Sequence, residues 1–111
     1  MTEEIKKNVI ALTVKDRLLV TQLYPKESNL VEQTIVRDIS RKIEISQKEQ
    51  EEIGLKAVQQ GFTWDQEKEL VKQIELSDIE LSLLRDRVNA LDSEKKITQQ
   101  ILELCLKIKN V

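Results

Sequence analysis

Leu81, Leu84, Val88 and Leu91 recur at intervals of three and four residues, and Ile97, Ile101, Leu104 and Ile108 repeat the pattern near the end of the chain. Intervals that bracket the helical period predict two helices with one apolar stripe each. Residues 92–96, Asp-Ser-Glu-Lys-Lys, are uniformly polar, so the two helices are expected to reverse there and share their stripes as an antiparallel hairpin. Lys107 and Lys109 fall near the last carbonyls, where positive charge suits the helix dipole.

Both helices carry apolar residues that this seam does not use. With about 100° of rotation per residue, Ile79, Leu83 and Ala90 gather on a second face of the first helix, and Leu102 and Leu106 stand aside in the second. Each helix therefore needs another neighbour. A sheet can supply one, and either the amino-terminal helices or a second subunit the other. Ile79, Leu83, Leu102 and Leu106 are accordingly the candidate interface residues.

The rest of the chain alternates short strand and helix signals. Residues 4–12 place apolar side chains on alternate positions and read as a strand, with a frayed terminus as the competing reading. Thr13 with Asp16 opens a helix through Val14, Leu18, Leu19 and Leu23 that Pro25 should stop, and Asn29 with Glu32 opens another through Val31, Ile35 and Ile39, ending near Arg41. Ile43-Glu44-Ile45-Ser46 and Ile74-Glu75-Leu76-Ser77 then rhyme, each followed by a glutamate three residues after its serine. Each reads as a strand, over 41–45 in the first case, running into a helix closed by a capping box, because serine and glutamate at that spacing satisfy the free amides of a helix start reciprocally. Gly54 ends the first of those helices. Between Leu55 and Leu76 the apolar period becomes that of strands, 55–57, 62–64 and 70–76, which predicts an antiparallel meander turning at Gln60-Gly61. Trp64 belongs to this sheet and packs beneath the helices, or else serves as a partner anchor.

The expected fold class is thus α+β: a small antiparallel sheet of three to four short strands packed with four to five helices, ending in the helical hairpin. A chain of 111 residues, 40% apolar and 34% charged, suits a single compact domain over 1–111. The apolar content is nearly all Leu, Ile and Val, so aliphatic packing carries the core. No stretch reaches the roughly 20 apolar residues that cross a bilayer, and the start lacks the basic and apolar regions of a signal peptide. The lone Cys105 sits between leucines on an apolar stripe and reads as a packed thiol in a cytoplasmic protein.

Chemistry narrows further. Histidine is absent, which removes the commonest general base and metal ligand. There is no EF-hand-like loop and no phosphate-binding glycine loop. We therefore assign no catalytic, cofactor-binding or metal-ligating residue, no cofactor and no small-molecule ligand. The formal charge of −2 leaves no basic arm; Arg37, Arg41 and Lys42 are the alternative phosphate contacts of a weak nucleic-acid-binding protein.

The stretches LTVKDRLLVTQLYPKESNLVEQTIVRDISRKIEIS (12–46) and LDSEKKITQQILELCLKI (91–108) resemble those of an uncharacterised family of small proteins from phages and mobile elements. That resemblance implies a cytoplasmic accessory role in a host cell and brings no activity with it. The expected function is a non-catalytic protein-binding, adaptor or inhibitor-type protein, acting on a host protein surface or by self-association as a homodimer, with regulatory nucleic-acid binding as the alternative.

Overall fold

The computed structural model describes residues 8–68 and 71–111. Strand β1 (Asn8–Leu12) leads into helix α1 (Val14–Leu19), which tightens into a 3-10 turn over Val20–Leu23. Helices α2 (Leu30–Ile43) and α3 (Gln47–Ile53) follow, then the hairpin β2 (Lys56–Val58) and β3 (Gly61–Thr63). Strand β4 (Lys72–Leu76) returns to the core, and α4 (Asp78–Ser93) and α5 (Gln99–Asn110) complete the α+β fold as an antiparallel helical pair. Residues 4–7 of the expected first strand, and Leu70 of the expected last one, lie outside the described residues.

Strands β1 and β4 pair antiparallel with Ile10 opposite Ile74 and Asn8 opposite Leu76. This register puts Ile10, Leu12, Ile74 and Leu76 on one face, all at most 3% exposed, while Val9 and Glu75 face outward. Helices cover the buried face. Leu23, Ile39, Leu84, Leu104 and Ile108 are essentially inaccessible at the centre of the core they form. Leu81, Leu84 and Val88 of α4 meet Ile101, Leu104 and Ile108 of α5 in that core, as the stripes predict.

Two expectations from the sequence need correction. The strand expected over 41–45 is absent: α2 continues to Ile43, whose side chain is 2% exposed and extends the four-residue spacing of Ile35 and Ile39. The backbone beyond it is taken by Arg17, whose Nε donates to the Ile43 carbonyl at 2.8 Å and whose Nη2 donates to that of Glu44 at 2.7 Å. Carbonyls held by a guanidinium have no need of a strand partner. Nor do residues 55–76 form one meander. β2 and β3 pair with each other alone, all six of their residues exposed, while β4 joins β1 because Ile74 and Leu76 find an apolar partner face there. The four strands among the described residues thus divide into two two-stranded sheets. Trp64, just past β3, is half-buried and stands outside the main core.

Candidate functional site

Three helix starts carry full capping boxes, and the acid of each serves a second, distant element. Asp16 accepts from the Thr13 amide at 3.1 Å and from Lys107 Nζ of α5 at 2.5 Å. Glu49 accepts from the Ser46 amide and receives both terminal nitrogens of Arg17, at 2.8 and 3.0 Å. Glu80 accepts from the Ser77 amide at 2.9 Å and from Lys42 Nζ of α2 at 2.6 Å. Burial pulls the Glu80 carboxyl upward, yet its bonds to Lys42 and Ser77 prevail and the net shift is down. The Arg17 hydrogen bonds hold Glu49 at about 2. These carboxylates fix the helices to one another, an architectural use that accounts for the lowered Glu49 and Glu80.

Helices α2 and α4, tied by the Glu80–Lys42 pair, border a cleft of about 490 Å³ lined by the first turns of α2 and by residues 79–87 of α4. Ile35 and Leu83 are its least exposed apolar residues, half-buried and 9% exposed. Val31 and Ile79 also line it, with 64% and 57% of their surface open to solvent, and Leu30, next in the chain to Val31, is 87% exposed. Arg87 lines the cleft too, and its Nε donates to the Leu23 carbonyl at 2.9 Å. Glu27, Glu32 and Asp86 complete the charged lining, and none of them forms an ion pair among the described residues. The cleft is therefore a mixed trough, in which Val31, Ile35, Ile79 and Leu83 are interspersed with three carboxylates and one arginine.

Of the four candidate interface residues, Ile79 and Leu83 share this trough, whereas Leu102 and Leu106 lie outside it, half-buried and 44% exposed. The second apolar faces of the two helices thus lie in different surroundings. Leu83 is largely covered within the chain, and Leu106 stands apart from the cleft. Val31 was legible only as part of the α2 core stripe; the fully buried positions of that helix are instead Val36, Ile39 and Ile43, which turns Val31 outward.

Of the alternative phosphate contacts, Arg37 and Arg41 lie one turn apart on α2. Arg37 and Arg41 are exposed, with Arg37 at 3.6 Å from its neighbour Asp38, and Lys42 is engaged by Glu80. Lys107, expected to serve the helix end, reaches across to Asp16 instead. Cys105 is buried, and burial followed by the nearby Asp92 charge pushes its thiol up from the ordinary value. A larger cavity of about 620 Å³ runs along β4 past Lys42 and Lys72, but Val9 is the sole large apolar side chain lining it that is also exposed. A smaller groove of about 380 Å³ lies between α1 and the hairpin, against Leu18, Phe62 and Trp64.

No family model matches the chain, and no curated protein or solved structure does so either.

Proposed function

We propose that this chain is a non-catalytic protein-binding accessory protein that engages its partner through the cleft between α2 and α4. The observation that supports the reading is the convergence of Val31 and Ile79, two largely exposed branched aliphatic side chains from different helices, on one trough. Scattered exposed apolar residues are ordinary, but apolar residues gathered in a concave site mark association surfaces. An adaptor or inhibitor acting in the cytoplasm fits this design, since it works by occupying a surface and needs no reacting group. The free buried Cys105 suits a reducing compartment. No helix among the described residues is long and apolar enough to cross a membrane.

Protein rather than nucleic acid is favoured as the partner because the cleft carries three carboxylates against one arginine, while the one cationic cluster suggested by sequence has Lys42 already neutralised. Affinity capture from nuclease-treated and untreated lysate tests the reading against variants that leave the core alone. Capture that survives nuclease and is lost in Ile79→Ser and Val31→Ser, but not in Leu106→Ser, supports it. Capture that depends on nucleic acid, or that is indifferent to Ile79 and Val31, overturns it.

A further inference from the structure

We infer that the occupant of the α2/α4 cleft is a basic amphipathic helix of a different protein. This deepens the proposed function and rests on it. The cleft runs between two helices and contains no sheet edge, so an extended peptide has no backbone ladder to join there, whereas a helix offers apolar side chains at spacings of three and four to a trough of this kind. Its volume of about 490 Å³ admits a few side chains, with Val31 and Ile79 positioned on the open side to meet them.

Charge selects among amphipathic helices. Glu27, Glu32 and Asp86 line the cleft without an ion-pair partner among the described residues, and the one cation that lines it, Arg87, is turned to the Leu23 carbonyl. A partner with Lys or Arg flanking its apolar stripe meets complementary charge in the cleft, which steers encounter and rejects acidic competitors. The same carboxylates argue against a second copy of this chain seated cleft to cleft. A two-fold contact uses the same patch of both subunits and would bring two such net-acidic clefts, six carboxylates against two arginines, into one interface.

The test is an amide-resolved NMR titration with two synthetic 14-residue helical peptides, one of Leu and Lys and one of Leu and Glu in the same apolar pattern. The Leu/Lys peptide is expected to shift the amides of Val31, Ile35, Ile79 and Leu83 and to bind roughly fivefold or more tightly than the Leu/Glu peptide at low salt, a preference that narrows as salt screens the carboxylates. Glu32→Lys combined with Asp86→Lys, both at exposed positions, is expected to abolish or reverse that preference with the fold retained. Equal binding of both peptides in the cleft overturns the charge selection and leaves the cleft as a binding surface. Binding of neither peptide in the cleft, or shifts confined to other faces, overturns the helix occupant. If neither Ile79→Ser nor Val31→Ser then affects capture from lysate, the wider reading fails with it. Light scattering that finds a dimer dissociated by Ile79→Ser overturns the foreign partner in favour of a second copy.

Discussion

Arg17 of α1 and Glu49 of α3 meet side-on, Nη1 to Oε2 at 2.8 Å and Nη2 to Oε1 at 3.0 Å, while the same guanidinium holds the carbonyls of Ile43 and Glu44. One side chain thus closes the end of α2, anchors the start of α3 and ties both to α1. Its guanidinium is 1% exposed, so removing it strands a carboxylate and two backbone acceptors in a site built to satisfy them. Because Glu49 keeps 32% of its side chain in water, the loss falls below that of a fully buried pair, on the order of 2–3 kcal/mol, still a large part of the stability of a domain this size. Arg17→Met is expected to lower the urea midpoint accordingly, and Arg17→Lys to recover less than half of the loss, because an ammonium cannot reproduce the planar fork. Arg37→Met, at an exposed site, should stay within about 0.5 kcal/mol of wild type.

The same pair sets a pH dependence. Glu49 titrates at about 2 in the folded chain against an ordinary 4.5, so the folded state binds this proton more weakly than the unfolded state. Its contribution is complete above 4.5 and is lost as pH falls from there through about 2. Unfolding curves of wild type and Glu49→Gln should therefore differ most near neutral pH and converge as pH approaches 2. A difference that is unchanged across that window would show that the carboxylate charge is not what stabilises the joint.

Local signals were readable in this chain and distant pairings were not. The boxes at Thr13, Ser46 and Ser77, the Asn29 cap and the Gly54 stop each depend on residues within about one turn, and all sit where the sequence placed them. The second partners of Asp16, Glu49 and Glu80 lie 91, 32 and 38 positions away, which no periodicity encodes. Ile43-Glu44-Ile45 alternates as a strand does, but tertiary bonding from Arg17 and the continuing α2 stripe override that period. For the candidate site, a helical wheel revealed that Ile79 and Leu83 leave the α4 seam. It could not report what covers each second face, so it did not separate Ile79 and Leu83, which line the cleft, from Leu102 and Leu106, which lie away from it. Trp64 illustrates the same limit, because aromatic character says little about which groove a half-buried ring finds.

Cys105 offers a direct probe of core opening. Its thiol lies in the same core as Leu104 and Ile108, and burial together with the nearby Asp92 charge raises it. A thiolate is the reactive form, so native Cys105 should react with a disulfide reagent at pH 8 far more slowly than the same chain in urea. Leu84→Ala, at a position 1% exposed, is expected to cost about 2–5 kcal/mol and to speed native-state labelling by making opening more frequent. Labelling of the wild type as fast as in urea would contradict a packed thiol.

Two helix ends in this chain solve one problem with different residues. After α3, the Leu55 amide donates to the Gln50 carbonyl at 2.8 Å and Gly54 takes φ 67°; after α4, the Lys96 amide donates to that of Leu91 at 2.8 Å and Lys95 takes φ 58°. Both are Schellman closures requiring a left-handed residue. Glycine adopts that conformation without a Cβ clash, whereas an L-residue such as lysine is held there at a cost on the order of 1 kcal/mol. Lys95→Gly is therefore expected to raise stability by up to about 1 kcal/mol. Gly54→Ala should lower it by a similar amount through backbone strain alone, since an added Cβ would meet no atom within 4 Å. Thermal unfolding of the two variants and of the double variant measures both terms. The sites lie in separate turns with no shared partner, so their effects should add, and a Lys95→Gly variant that unfolds earlier than wild type would mean that the lysine side chain contributes more than its backbone conformation costs.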